Sequence, residues 1–408
     1  MLTYQYTARN PQTGQQVKAT VEADSEAAAA KLLTTQGLVA TDIRLQGGGG
    51  VSALSKLSSH VKAKDRVLFS RQLSTLINAG LPLLQALRSV NQQTVNKPLK
   101  VVLTQIIGDV EGGSTLSSAM AKHPQVFNQV YISLIAAGET SGTLDAALER
   151  LAIQQEKDAD LNSKIRGAMI YPVIVLAVMI GVVGFMIVKV LPQVKTLYTS
   201  LPGAQLPLIT RVLLALSDFV IHFWWVVIIV LGIIGFMTTR WARTGPGKEV
   251  IDRLKMKAWP IGPLFMKLYM ARFARTGSTL IASGVPLLQM LAITADAVNN
   301  VHIQSAIHKA SEKVKGGKGL GESIENDPHF LPLVPNMLKI GEQSGAIEQM
   351  MAKVADYYEK EVDNEVANIS AIIEPVMMVL LGVVAFIIVA AVLLPIYGLA
   401  GNSSFTGS

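Results

Sequence analysis

Residues Gly167–Val188 read GAMIYPVIVLAVMIGVVGFMIV and contain no charged side chain. About 20 consecutive apolar residues are needed to cross a bilayer as a helix, so this run predicts a transmembrane helix. Two further runs have the same character: Phe219–Thr239 reads FVIHFWWVVIIVLGIIGFMTT, and Pro375–Tyr397 reads PVMMVLLGVVAFIIVAAVLLPIY. The chain is therefore predicted to be a polytopic membrane protein with three transmembrane helices.

The composition agrees with this class and excludes several others. Half of the 408 residues are hydrophobic and only 16% are charged, which is too apolar for an ordinary soluble protein. The net charge is +7, yet no basic run is interleaved with aromatic residues, so no nucleic-acid partner is expected. The absence of cysteine excludes disulfides and thiolate metal sites.

Basic residues near the ends of the spans predict the orientation, because cytoplasmic flanks carry an excess of lysine and arginine. The flanks on one side contain Arg150, Lys157, Lys164, Arg166, Arg240, Arg243, Lys248, Arg253, Lys255, Lys257 and Lys360. The connector between the first two spans contains only Lys189, Lys195 and Arg211, and the tail after the third span contains no basic residue. We therefore expect a cytoplasmic N-terminus, cytoplasmic polar regions and an external C-terminus.

The polar regions contain an internal repeat. Phe69–Leu87 (FSRQLSTLINAGLPLLQAL) and Phe273–Leu291 (FARTGSTLIASGVPLLQML) are identical at twelve of nineteen positions at an offset of 204. The pentapeptides Gly138–Gly142 (GETSG) and Gly341–Gly345 (GEQSG) then match at an offset of 203, and the register continues into the membrane at Pro172 and Pro375. Each copy is therefore a helical bundle followed by a span, and the second span returns the chain to the first side.

Within each copy, apolar residues at helical spacing alternate with helix breakers. In the first copy the breaks are Ala79–Pro82, Gly112-Gly113 and Pro124. Gly80 is suited to a helix C-terminus, Pro82 to a first turn, and Ser114 to capping the next helix. This pattern predicts about six helices per copy in an antiparallel arrangement.

The leading residues differ from the repeats. TYQYTARN and QQVKATVEA alternate apolar and polar side chains and predict a hairpin, and Ser25–Gly37 predicts a short helix capped by Ser25. The fold class is therefore mainly α, with three transmembrane helices, two repeated cytoplasmic bundles and a small N-terminal α+β domain. The predicted segments are the α+β domain (1–46), a Gly/Ser-rich linker (47–60), bundle 1 (61–166), the first span (167–191), an external connector (192–218), the second span (219–239), bundle 2 (240–370), the third span (371–397) and an external tail (398–408).

The sequence contains no recognisable catalytic or metal-binding motif. Gly317–Gly321 superficially resembles a phosphate loop but has Glu312 and Gly319 where a glycine and a Ser/Thr are required. No nucleophile elbow or His-Glu-x-x-His pair occurs, and His302 and His308 lie six residues apart, on different helix faces. We therefore expect no enzymatic activity, no cofactor and no metal site.

The Gly-Glu-x-Ser-Gly pentapeptide is the polar motif present in both copies. A structural interpretation is a corner between helices, where the first glycine permits close backbone approach or a left-handed turn, the serine caps the long helix entering the membrane, and the glutamate caps free amides there. A functional interpretation makes the glutamates partner contacts, and Glu374 at a membrane boundary is a further functional suspect. The candidate hinge or partner-contact residues are Gly138, Glu139, Ser141, Gly142, Gly341, Glu342, Ser344, Gly345, Glu374, Pro375 and Pro172.

Together these features resemble the inner-membrane platform proteins of type IV pili and type II secretion, the PilC/GspF family. The resemblance is carried by the duplicated segments, the two pentapeptides, Tyr171-Pro172, Glu374-Pro375 and the closing Leu394–Tyr397. It implies a non-enzymatic protein of the bacterial inner membrane that assembles as a homodimer or higher oligomer. The implied partners are a cytoplasmic hexameric ATPase, prepilin or pseudopilin subunits, other inner-membrane assembly proteins and membrane lipid.

The alternative hypothesis is a membrane subunit of a transporter or channel. Three spans are few for a transport path, and no pair of broken spans signals a binding site at the membrane midplane. Neighbouring genes for a secretion ATPase and prepilins would favour the platform, whereas a transport ATPase would favour the alternative.

Overall fold

The structure is a computed structural model that describes residues 2–9, 16–23, 30, 32–34, 37, 39–45, 61–193, 196 and 208–401. The chain divides into two units, Met1–Lys62 and Ala63–Ser408. The tetraglycine linker, the proposed cap at Ser25 and the end of the tail lie outside the described residues. The second unit contains both repeats and all the membrane-length helices.

The N-terminal unit contains a three-stranded antiparallel sheet. Strands β1 (Leu2–Arg9) and β2 (Gln16–Ala23) form the predicted hairpin, and β3 (Val39–Leu45) pairs with the other edge of β1. Tyr6, Ala8 and Leu33 form its small buried core. The third strand was not predicted from the sequence. It places β1, the most completely paired strand, in the centre of the sheet.

Each repeat contains six helices. Those of the first copy are α1 (Ala63–Asn78), α2 (Leu83–Gln93), α3 (Lys97–Glu111), α4 (Leu116–Ala121), α5 (Gln129–Ser141) and α6 (Leu144–Phe185). Between the copies lie α7 (Leu208–His222), α8 (Trp224–Trp241) and α9 (Gly245–Lys257). Those of the second copy are α10 (Gly262–Ala282), α11 (Leu287–Val298), α12 (Val301–Lys315), α13 (Leu320–Ile324), α14 (Leu333–Ser344) and α15 (Ile347–Gly401).

The glycine breaks end helices as predicted. Gly80 has φ +83°, and the amide of Leu81 donates to the carbonyl of Leu76, which closes a Schellman motif. Pro82 immediately precedes α2. The predicted cap at Ser114 is wrong: Thr115 is the N-cap of α4 and accepts from the amide of Ser118. Ser114 instead belongs to the end of α3, where its amide N–H donates a hydrogen bond to the carbonyl oxygen of Asp109.

The hydrophobic cores of the two bundles use the same repeat positions but differ in the side chains that fill them. Phe69 and Phe273 are buried at the same repeat position, as are Leu87 and Leu291. Where the first copy buries Leu73, the second has Gly277, and a Cβ added there would lie 2.2 Å from Cε of Met351. Because methionine is long and flexible, it fills the volume that a leucine occupies in the first copy.

Three helices are long and apolar enough to cross a membrane: Leu144–Gln193, Trp224–Trp241 and Ile347–Ala390. Their apolar windows are almost completely unburied, as expected of lipid-facing surfaces. Together with the two repeated bundles, they confirm the predicted fold class. The long helices α6 and α15 extend from bundle to membrane without a break in helical structure.

The second apolar run is not one helix. It was predicted to span Phe219–Thr239, but the helix breaks at Phe223, whose φ of −114° and ψ of 25° are not helical. Residues before the break belong to α7, which packs against α15 and against a π-helical segment, Met186–Val190, at the end of the first span. The hydroxyl of Ser217 on α7 donates to the carbonyl of Ile187 in that segment. The break therefore lets α7 pack within the protein while α8 runs separately.

The two repeats contact each other directly. Helix α5 packs against α10 and α11 of the second copy, and α6 packs against both α10 and α15. Arg150 donates to the carbonyl of Ala282 at 2.5 Å, and Gln154 exchanges hydrogen bonds with Thr276 and Thr279. The repeats therefore form one packed unit rather than two independent bundles.

Candidate functional site: the duplicated corners and the central junction

The first glycine of each pentapeptide lies where two helices approach most closely. At Gly138 an added Cβ would lie 2.5 Å from Cβ of Ala147, and at Gly341 it would lie 2.9 Å from Cα of Ile347. Both distances are shorter than real Cβ contacts allow. Of the two sequence-based interpretations of this glycine, close backbone approach matches the geometry at both corners, and a left-handed turn does not.

The last glycine of each pentapeptide supplies the turn. Gly142 has φ +72° and Gly345 has φ +69°, a left-handed conformation that glycine adopts without a Cβ penalty. The amide of the following residue donates to the carbonyl of Gly138 or Gly341 and closes a Schellman motif at each corner. The two glycines of the motif therefore have different physical functions.

The glutamates bind backbone amides inside their own bundle. Glu139 accepts from the amides of Leu116 and Ser117, the latter at 3.1 Å, and from the hydroxyl of Ser117. Glu342 accepts from the amides of Leu320 and Gly321, the latter at 3.1 Å. Each carboxylate therefore caps the short helix that follows the double-glycine break, and it does not cap the long helix of its own corner.

The predicted capping by the serines is wrong. Ser141 donates to the carbonyl of Ala137 at 2.8 Å, and Ser344 donates to that of Ile340 at 2.7 Å. Both hydroxyls bond back to the turn that they end, because the left-handed glycine follows immediately and reverses the chain. Helix α6 begins after Thr143, which makes no side-chain cap bond.

Replacing Glu342 by alanine is expected to destabilise bundle 2 by about 2 kcal/mol, because two half-buried amides lose their acceptor. Glu139→Ala should reduce the free energy of unfolding by less, about 1 kcal/mol, because the side chain of Thr115 still caps α4. In the second copy the equivalent residue is Gly319, which has no side chain to cap α13. Thermal unfolding of the detergent-solubilised protein measures both. Glu342→Gln keeps an acceptor and is the matched control; equal losses for Gln and Ala would contradict the capping role.

The remaining candidates do not join the corners. Pro172 is buried within α6, whereas Glu374 and Pro375 are exposed on α15. Among the described contacts, none links Glu374 to either pentapeptide. The role of Glu374 as a functional residue stays a prediction.

A second shared feature lies where the long helices leave the bundles; we call it the central junction. It is an apolar cluster of Leu161 on α6, Leu264 and Leu268 on α10, and Val362 and Ile369 on α15. Each of these side chains is 5% exposed or less. Burial of such side chains stabilises by about 1.5–3 kcal/mol each, so the cluster holds the three helices together.

Ion pairs surround this cluster and connect the two copies. Lys157 on α6 lies 3.2 Å from Glu359 on α15, and Lys164 lies 2.9 Å from Asp363. Arg272 on α10 donates to Asn162 at 2.9 Å. These contacts alternate with the apolar cluster along α6, so α6 and α15 are fastened over several turns.

One ion pair is duplicated and was missed by the sequence analysis. Arg71 donates to Glu156 at 2.6 Å in the first copy, and Arg275 donates to Glu359 at 2.7 Å in the second. Arg275 also binds Asp356. The hydrogen bond from Arg71 lowers the pKa of Glu156. The sequence did contain a signal for this pair: Arg71 and Arg275 are identical at the offset of 204, and Glu156 and Glu359 are identical at the offset of 203.

A cavity of about 310 Å³ lies between the repeats beside these pairs. It is lined by Asp158 together with Arg66, Arg272 and Asn299. Burial raises the pKa of the Asp158 carboxyl, against the opposing effect of Arg272. Among the described residues, no group of three or more His, Asp or Glu side chains is arranged to hold a metal ion.

Three membrane-length helices and two copies of a six-helix bundle, joined at equivalent corners and at a shared junction, define an internally duplicated helical membrane protein. The chain belongs to the family of type II secretion system protein F, whose model matches residues 69–192 and 273–395. The N-terminal domain of the same family matches residues 1–44. The two matched segments coincide with the repeats found in the sequence.

Relatives come from both pilus and secretion systems. The type IV pilus assembly protein PilC of Thermus thermophilus is 41% identical over 99% of this chain and 100% of its own length. PilC of Pseudomonas aeruginosa is 36% identical over 91% of this chain and 98% of its own length. Type II secretion system protein F of Pseudomonas aeruginosa is 33% identical over 98% of this chain and 99% of its own length.

Proposed function

We propose that this chain is the inner-membrane platform of a type IV pilus, which couples a cytoplasmic hexameric ATPase to the assembly of pilin subunits. The observation that carries the proposal is the pair of helices α6 and α15. Each begins at a Gly-Glu-x-Ser-Gly corner in a bundle and continues into the membrane as one helix. A force applied to a bundle thus has a continuous covalent and hydrogen-bonded route to the membrane.

The central junction supports this mechanism. Helices α6 and α15 pack against each other and against α10 through Leu161, Val362 and Ile369. The Lys157–Glu359 and Lys164–Asp363 ion pairs add polar contacts between α6 and α15. Two helices fastened in this way move together rather than independently. We infer that the junction combines the movements of both bundles into one displacement of the first and third spans.

The corners supply the stiffness at the bundle end. Close glycine contacts and the capped short helices leave little freedom between α5 and α6 or between α14 and α15. The contacts of Glu139 and Glu342 favour a structural role over direct binding of the motor. The capping variants test this structural role, and the hinge and partner-contact roles of the pentapeptide residues remain a proposal.

The proposed orientation places both bundles in the cytoplasm, where an ATPase reaches them, and the C-terminus outside. It rests on the excess of basic residues next to the bundles. We propose that the chain assembles as a homodimer or a larger oligomer, because the proposed partner ATPase is itself a symmetric hexamer.

A pilus is favoured over a secretion pseudopilus by the comparisons. Identity to the PilC proteins reaches 41% and 36%, against 33% and 31% for two secretion proteins of the same family. The transporter alternative has less support, because among the described helices α8 packs mainly on its chain neighbours α7 and α9.

Deletion of the gene in its host is expected to abolish surface pili while prepilin accumulates in the inner membrane. The measurement is pilin in the sheared surface fraction and in membranes, together with co-purification of the pilus ATPase with the tagged full-length chain. Secretion of type II substrates should be unchanged. Loss of secretion with normal pili would overturn the assignment to the pilus, and normal levels of both would favour the transporter alternative.

A further inference from the structure

We propose that α9, the helix directly after the second span, is an anionic-lipid-binding helix that lies on the membrane surface. The proposal is independent of the pilus assignment, because it rests on the chemistry of one helix face. Its ligand is the phosphate-bearing headgroup of an anionic glycerophospholipid, such as phosphatidylglycerol, in the leaflet next to bundle 2.

The exposed face of α9 is both apolar and basic. Val250 is 52% exposed and Leu254 is 63% exposed, and their spacing of four residues places them on one face. Arg253 and Lys257 lie on the same exposed side of the helix. A helix whose apolar residues are flanked by Lys and Arg is typical of segments that lie in the bilayer interface.

The position of α9 brings this face to the membrane. Gly247 in its first turn packs against the end of α8, where an added Cβ would lie 1.9 Å from the carbonyl oxygen of Trp241. Thr244 caps α9 and accepts from the amide of Gly247. Since α8 crosses the bilayer, its close contact with α9 holds α9 at the level where the span ends.

The opposite face of α9 is fixed to bundle 2. Asp252 is 1% exposed and accepts from the amide of Val301 at the start of α12. His302 contacts the carbonyl of Glu249 at 3.1 Å. These contacts prevent α9 from rotating to bury Val250 and Leu254 within the protein, so the apolar face needs another environment.

Aromatic and basic residues at both ends complete the arrangement. Trp241 and Trp259 precede and follow α9, and Trp259 is 79% exposed. Tryptophan is enriched at membrane interfaces. The segment from Arg240 to Lys257 contains six basic and two acidic residues, and such a local excess attracts anionic headgroups rather than neutral ones.

The absence of cysteine from the chain allows a direct test. The full-length Leu254→Cys protein is labelled with an environment-sensitive fluorophore and reconstituted into two kinds of vesicle. One is phosphatidylcholine alone, and the other contains about one-third phosphatidylglycerol. We expect a blue-shifted emission that is quenched by lipid-borne quencher in the mixed vesicles and is reduced in phosphatidylcholine alone. Val101→Cys, also exposed but on bundle 1, should give an aqueous spectrum in both.

Charge variants separate lipid binding from simple apolar insertion. Arg253→Gln with Lys257→Gln should remove the dependence on phosphatidylglycerol, whereas Lys97→Gln with Lys100→Gln on bundle 1 should leave it intact. Elution as a single species in detergent checks that the variants fold. An aqueous spectrum at position 254 in the mixed vesicles, or identical spectra in both vesicles, would overturn the proposal. A blue shift seen only in native membranes would instead assign the face to a protein partner and overturn it too.

Discussion

Arg275→Ala is expected to destabilise the protein by about 3–5 kcal/mol, because it leaves a buried carboxylate without its main partner. The side chain of Arg275 is 16% exposed and that of Glu359 is 10% exposed. Arg275 also binds Asp356, so the substitution removes two charge-assisted contacts at once. The remaining partner of Glu359, Lys157, lies at 3.2 Å on the other repeat and does not restore the contacts that Arg275 makes with both carboxylates.

The duplication provides the matched control. Arg71→Ala removes the equivalent ion pair in the first copy, where the side chains are 37% and 41% exposed. An exposed pair contributes at most about 1 kcal/mol, so the loss should be several-fold smaller. Thermal and denaturant unfolding in the same detergent measures both variants. Equal losses at the two positions would contradict the view that burial decides the strength of the pair.

Gly341→Leu is expected to destabilise bundle 2 by about 3 kcal/mol or more, because its side chain must occupy space taken by the backbone of α15. Even the Cβ would lie 2.9 Å from Cα of Ile347 and 3.2 Å from Cβ of Met350. Helices α14 and α15 would have to separate at the corner. We expect lower membrane abundance in cells and a lower unfolding temperature in detergent.

Gly345→Asn is the control within the same pentapeptide. Gly345 has φ +69° and no atom within 4 Å of an added Cβ, and asparagine tolerates left-handed backbone. Its cost should stay below about 1 kcal/mol. If the two variants were equally destabilised, close approach at Gly341 would not be the reason for the first glycine of the motif.

Much of the architecture was predictable because each prediction rested on a local rule. Long apolar runs identify spans, glycine followed by proline marks helix ends, and an identical offset reveals duplication. The twelve identities between Phe69–Leu87 and Phe273–Leu291 predicted two equivalent bundles, and both contain six helices. The absence of a side chain at Gly138 and Gly341 predicted either close backbone approach or a left-handed turn at each corner, and the structure shows the former.

The errors arose where tertiary contacts compete with local rules. Hydropathy did not reveal the break at Phe223, because the apolar run Phe219–Thr239 continues across it, although α7 packs against the π-helical segment and α15. Ser141 and Ser344 have the residue type of an N-cap, yet they belong to the preceding helix end. The amides that Glu139 and Glu342 cap lie 21 to 23 residues earlier in the chain, on another helix. Sequence rules for capping consider only the residues next to one helix end, so they do not identify these partners.

The central junction was also beyond sequence reasoning. Leu161, Leu264 and Val362 come from three helices separated by about a hundred residues each, and no periodicity specifies which faces meet. The ion pair of Arg275 with Glu359 was within reach, because both residues are identical to their repeat equivalents.

The central claim is that α6 and α15 must be fastened together at the junction for pilus assembly. The most direct measurement is surface piliation of cells that carry Leu161→Ala with Lys164→Cys and Asp363→Cys, before and after treatment with a short thiol cross-linker. This variant removes an apolar contact worth about 2–4 kcal/mol and one ion pair, and the cross-link restores the connection between the helices. At unchanged membrane abundance, we predict few pili before cross-linking and recovery after it. Normal piliation before cross-linking, or a loss that cross-linking does not reverse, would contradict the account.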